Sequence, residues 1–159
     1  MTSRIADFLT LGRSRSAVPG TSKKRVLEYL SQCLSEGGDL PDADTIYRSL
    51  LAREELGSTG IGHGVAIPHC RVPGLDRLVG ALLHLDRGID FDAADGEPVD
   101  LVFGLIVPEE HRQEHLDALA AIARLLERPE NRRRLRAADS DRDLFEAALA
   151  AERERETAG

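Results

Sequence analysis

Three side chains of the sequence have the types that phosphoryl chemistry needs: His69, His115 and Arg53. A neutral imidazole attacks phosphorus well near pH 7, because its ordinary pKa lies just below that value. The phosphorylated ring is itself reactive and can pass the group on. Such a site needs little else: donors for the phosphoryl oxygens and a cation against their charge. The stretch between Arg53 and His69 offers donors. It packs Gly57, Gly60, Gly62 and Gly64 into eight residues, with Ser58 and Thr59 among them. Glycines so close mark a backbone that turns sharply or approaches something closely. Free N–H groups and hydroxyls there could form an anion-binding concavity, so Ser58, Thr59, Gly60 and Gly62 are expected to hold the phosphoryl group. Each member alone has a bland alternative, Arg53 as a partner of the last helical carbonyls and His115 as a packed helix residue. Taken together they are better explained by phosphoryl transfer.

Other patterns carry less. The glycines are not followed by Gly-Lys-Ser/Thr, so this is no Walker A loop, and they precede a strand where a dinucleotide fingerprint would follow one. His111-Arg112-Gln113-Glu114-His115 matches the H-x-x-E-H pattern of inverted zinc peptidases. His111 lies only three residues after Pro108, and no third ligand is evident downstream, so neither metal nor cofactor is expected. His63 reads as an exposed loop residue and His84 as a sheet residue. Cys33 and Cys70 have no metal-type or disulfide-type spacing. Cys33 is expected to be buried on a helix. Cys70 is expected to pack, with a reactive thiol beside His69 as the alternative.

A chain of 159 residues with 42% hydrophobic and 31% charged content reads as one globular domain. Its net charge of −7 argues against a protein that coats nucleic acid. No apolar run is long enough to span a membrane, and the N-terminus lacks a signal-peptide pattern, so a cytoplasmic protein is expected.

The flanking elements must position the candidates. Ser22 or Thr21 can cap a helix to about Glu36, with Val26, Leu27, Leu30, Cys33 and Leu34 on one stripe. Asp42 can cap a second helix to about Leu56, which puts Ile46, Leu50 and Arg53 on one face. Val65-Ala66-Ile67 reads as a strand stopped by Pro68, with His69 at its exit. Strands are expected at Leu78–Leu85 and Leu101–Val107, the latter uncharged and so central. A helix over about Glu110–Glu127 carries His115 on or beside its apolar stripe. A short arginine-rich helix starts at Pro129, and Ser140 to Asp143 resembles a capping box for a last helix. Arg13 to Val18 reads as an edge strand. The expected fold is therefore α/β, a single-domain mixed β-sheet flanked by helices.

At this point the sequence resembles a family. Gly57-Ser58-Thr59-Gly60-Ile61-Gly62-His63-Gly64-Val65-Ala66-Ile67-Pro68-His69, preceded by Arg53-Glu54, is similar to the active-site signature of mannitol/fructose-type IIA proteins of the phosphoenolpyruvate-dependent phosphotransferase system. The similarity runs on through Phe91-Asp92-Ala93, Pro98 to Phe103, His115-Leu116 and the Leu135 to Leu149 end. Within that family the chain most resembles the nitrogen-regulatory branch, through its free-standing form and its Arg4 to Leu9 opening. The resemblance implies that His69 takes a phosphoryl group on Nε2 from an HPr-like histidine phosphocarrier, with Arg53 and His115 stabilising it. One IIA domain is expected over 21–151, with an N-terminal segment over 1–20 packed on it; Glu152 to Gly159 alternates charges and is expected to be a frayed tail over 152–159. The resemblance also implies regulatory targets such as a kinase or a potassium transporter. Alternatives are a sugar-transport IIA serving a separate IIB domain, and a non-catalytic binding module. Two departures stand out: His63 occupies a position where this family frequently has asparagine, and residues 10–20 match only loosely.

Overall fold

The computed structural model describes residues 4–158, with side chains through residue 154. In chain order the elements are α1 (Ile5–Phe8), β1 (Leu9–Val18), α2 (Lys23–Leu34), α3 (Ala43–Glu55), β2 (Gly60–Gly62), β3 (Val65–Ala66), β4 (His69–Arg71), β5 (Val79–Ile89), β6 (Val99–Val107), α4 (Arg112–Glu127), α5 (Pro129–Arg136) and α6 (Asp141–Ala158). The helix starts follow the capping chemistry of the sequence. Ser22 Oγ accepts from Arg25 N at 3.1 Å and Asp42 Oδ1 from Thr45 N at 2.8 Å. Ser140 Oγ accepts from Asp143 N at 3.0 Å at the start of α6.

The sheet is mixed. Its path runs β1-β5-β6-β3-β2, and β4 also pairs with β6. β6 is antiparallel to β5 and parallel to both β3 and β4. Its uncharged run explains this central place, because both of its faces are covered. Leu101, Phe103, Leu105 and Val107 enter one core with α1, α4, α5 and α6, while Val102 and Ile106 enter another with α2 and α3. Gly104 is demanded on the α2 face: a Cβ there would lie 2.6 Å from Leu30 Cδ1. Dense packing on both sides leaves β6 a rigid rail for the strands that carry the site.

Three expectations change. The expected edge strand from Arg13 to Val18 is present but longer: β1 begins at Leu9 and pairs parallel with β5 at one end of the sheet path, so residues 9–18 belong to the sheet. The expected tail is helical: α6 continues to Ala158. Ala151 is buried in the second core, and the buried Glu152 carboxylate accepts from Ile5 N at 2.7 Å and Ala6 N at 3.4 Å. The charge alternation that suggests a solvated tail hides a carboxylate that satisfies the first N–H groups of α1. Finally, His69 opens a strand instead of following one. β3 ends at Ala66, Ile67-Pro68 interrupts the ladder, and β4 resumes it with His69 opposite Leu105. Leu105 N still donates to Pro68 O at 2.9 Å across the break.

Candidate functional site

His69 sits where the interrupted strand resumes, half-buried at the wall of a cleft of about 470 Å³ lined by Ser49, Arg53, Leu56, Cys70, Arg71 and His115. Its Nδ1 lies 2.7 Å from the Ile67 carbonyl oxygen. A carbonyl can only accept, so Nδ1 carries the proton and Nε2 keeps its lone pair. Burial, chiefly, pushes the proton affinity of His69 below the ordinary value, and the Arg53 charge adds to this. The Ile67 carbonyl and Glu54 oppose the shift. The ring is therefore neutral at pH 7 with a defined nucleophilic nitrogen.

His115 comes from the first turn of α4 and meets His69 edge to face, ring centroids 5.8 Å apart and planes at 62°. Burial lowers its proton affinity, and the neighbouring Arg71 charge, together with His69 whenever that ring is protonated, lowers it further. Its Nε2 is buried with no hydrogen-bond partner among the described residues. A buried polar atom left open is costly, and an incoming phosphoryl oxygen is a partner this one could take. Arg53, in the last turn of α3, donates from Nη1 to Gly57 O at 2.9 Å and lines the same cleft. It thus both closes the helix end and presents charge to His69. The three chemistry-bearing residues of the sequence come together.

The glycine segment does something other than expected. Ser58 Oγ donates to Phe91 O at 2.6 Å and accepts from Gly60 N at 3.0 Å. Thr59 donates from N (3.2 Å) and from Oγ1 to the Glu54 carboxylate. Gly60 and Gly62 belong to β2, which pairs antiparallel with β3. None of these four residues lines the cleft of His69. The Ser58 hydroxyl, the Thr59 N–H and hydroxyl and the Gly60 N–H are engaged within the fold.

The remaining candidates fall apart from the cleft or are quiet within it. His63 is exposed at φ 59°, its N–H donating to Asp95 (3.0 Å) and its carbonyl accepting from Arg136 (2.7 Å). His84 stands in β5 with Nε2 3.5 Å from Asp100. His111 is the exposed residue before α4 rather than one of its turns, so it does not share a helix face with His115. Cys70 lines the cleft, but burial pushes its thiol up to about 12; Cys33 is likewise pushed up to about 11. Both are thiols, not thiolates, at neutral pH.

Glu54 has a place in the site that residue type and spacing do not announce. It is 7% exposed and ion-paired with Lys23 at 2.9 Å. One signal was available: an acidic residue in the last turn of a helix opposes the helix dipole, so its presence there needs a reason.

The comparisons with known proteins agree with this fold. The model of the family described as phosphoenolpyruvate-dependent sugar phosphotransferase system, EIIA 2, matches residues 9–150. A protein of Pseudomonas aeruginosa named nitrogen regulatory protein is 51% identical over 148 residues, covering 92% of this chain and 95% of the relative. The crystal structure of the nitrogen regulatory protein IIA-Ntr from Neisseria meningitidis superposes with a TM-score of 0.83 at 35% identity, covering 91% of this chain and 98% of the other. The mannitol IIA of Escherichia coli shares the fold, with a TM-score of 0.67 at 20% identity over 90% of this chain and 96% of that one.

Proposed function

The chain belongs to the EIIA 2 family of the phosphoenolpyruvate-dependent sugar phosphotransferase system, and from that premise we propose that it is a phosphohistidine carrier whose acceptor atom is His69 Nε2. The observation that carries the proposal is the 2.7 Å contact between His69 Nδ1 and Ile67 O, which leaves Nε2 as the free nucleophile in a cleft shared with Arg53 and His115.

The donor is a histidine phosphocarrier of the HPr kind. The Nε2 lone pair forms a bond to phosphorus while the P–N bond of the donor breaks, its electron pair returning to the donor imidazole. No proton need move. The positive charge that develops on the His69 ring is spread towards Nδ1–H and the Ile67 carbonyl, and the Arg53 charge offsets the phosphoryl oxygens. His115 Nε2, when it carries the proton, donates to one of those oxygens. Leu56 (85% exposed) borders the cleft, and Leu116 (54% exposed) follows His115 in sequence. These large apolar side chains suit the docking of a protein partner. Phosphorylation adds about −1.5 to −2 charge beside them, which favours a change of partner on phosphorylation.

The similarity to nitrogen regulatory proteins supports a regulatory role, with targets such as a kinase or a potassium transporter distinguishing the two forms. The test is incubation with a phosphorylated HPr-like carrier, followed by candidate IIB domains. One acid-labile equivalent, retained in the presence of IIB domains, supports the regulatory carrier. Rapid transfer to a sugar-specific IIB moves the protein to sugar transport, and no acceptance at all makes it a binding module.

A further inference from the structure

The glycine segment and the acceptor are linked by an unbroken series of hydrogen bonds that starts at a buried carboxylate. Lys23 Nζ, itself 4.7 Å over the Phe91 ring, pairs with Glu54 Oε2 at 2.9 Å. The Glu54 carboxylate accepts from both the N–H and the Oγ1 of Thr59. Thr59 O accepts from Ile67 N at 3.0 Å. Ile67 O accepts from His69 Nδ1 at 2.7 Å. Burying the Glu54 carboxylate against a partly exposed Lys23 costs free energy that a hydrophobic pair would not, and in the last turn of α3 a negative charge is further disfavoured. An ordinary loop anchor does not need a charge. A fixed carbonyl two residues before the nucleophile does need a stiff support, because the strand carrying His69 is interrupted at Ile67-Pro68.

We propose that Glu54 is a positioning residue for the phosphoryl acceptor, acting through Thr59 and the Ile67 peptide to hold His69 in the Nδ1–H tautomer. The inference rests on the reading of His69 as the acceptor. It assigns Arg53 and Glu54, adjacent in sequence, opposite tasks: Arg53 faces the cleft, while Glu54 turns inward and braces the backbone behind it. Thr59 is the coupling piece, and its hydroxyl takes one carboxylate oxygen while its carbonyl takes the Ile67 N–H.

The experiment compares Glu54→Gln, Thr59→Val and Thr59→Ser with the wild type by two readouts. The first is the ring-nitrogen NMR of His69, which reports the tautomer without any donor. The second is the rate of phosphoryl acceptance from a phosphorylated HPr-like carrier. In folded Glu54→Gln and Thr59→Val, a population of the Nε2–H tautomer is expected. Maximal acceptance should fall by about 10-fold, the scale of a small misplacement of a reacting group, while the KM for the carrier, which does not touch the buried Glu54, stays within about twofold. Thr59→Ser, which keeps the hydroxyl, should restore both. A folded Glu54→Gln protein with the wild-type tautomer or the wild-type rate overturns the proposal, even if its melting temperature drops. Should Glu54→Gln fail to fold, Thr59→Val decides by the same two readouts. A wild type that never accepts phosphate ends the proposed function, yet the tautomer readout still judges the positioning role.

Discussion

The glycine segment, residues 57–64, and the cleft of His69 look alike in chemical composition: both gather donors and sharp turns around one short strand. They differ in what their polar atoms have left to do. In the segment the hydrogen-bonding groups of Ser58 and Thr59 are engaged with Phe91, Gly60 and Glu54. In the cleft His69 Nε2 keeps its lone pair and His115 Nε2 is buried without a partner among the described residues. Satisfied groups hold a shape, whereas open ones are available to a ligand. On the proposed function the anion chemistry belongs to the cleft, and the segment is its scaffold.

Substitutions on the two sides should separate these roles. His69→Ala should abolish acid-labile labelling while leaving the melting temperature near that of the wild type, since His69 contributes little to either core; labelling and melting curves check both. Arg53→Ala should slow acceptance by about 10²-fold, the scale set by removing one charge-stabilising donor, and a stopped-flow transfer assay reads it. His115→Ala should slow onward transfer more than acceptance, and equal effects on both steps would count against its role as partner of the phosphoryl oxygens. On the scaffold side, Ser58→Ala removes bonds to Phe91 and Gly60. It should cost about 1 kcal/mol of stability while acceptance stays within about twofold. A large loss of acceptance in a stable Ser58→Ala protein would return the segment to the role of anion cradle.

The pH dependence follows from the same burial. His69 must be neutral to attack, and its folded pKa lies below the ordinary 6.5. Acceptance should stay on its plateau as the pH falls through 6.5 and drop only below it; a midpoint above 6.5 would contradict the assigned environment. Stability moves in the same window. The unfolded chain takes up protons at His69 and His115 at a higher pH than the folded chain does. The folded state therefore loses stability as the pH falls through 6.5, with no further change from these groups above it.

Much of this was legible in the sequence, and unevenly so. Helical spacing and Ser22, Asp42 and Ser140 located α2, α3 and α6, because caps and apolar stripes are local signals. The uncharged run of β6 announced its central place. His69, His115 and Arg53 were identified from residue type and from the resemblance, and the fold brings them to one cleft. What was not legible was non-local. The sequence displays the donors of Ser58 and Thr59 but not the acceptors that Phe91 and Glu54 turn towards them. A charge-alternating C-terminal stretch looks solvated until Glu152 is seen to meet the N–H groups of α1. Glu54 carries a sequence signal only in hindsight, as an acid at the wrong end of its helix.

On the proposed function one nitrogen atom, His69 Nε2, accepts the phosphoryl group. The protein should be labelled with ¹⁵N-histidine, phosphorylated with phosphoenolpyruvate and the general phosphotransferase proteins, and measured by ¹⁵N and ³¹P NMR. One phosphoryl group coupled to Nε2 of His69, with Nδ1 still protonated, is the expected result. Coupling to Nδ1 of His69, to His115 or to any other residue would contradict the account.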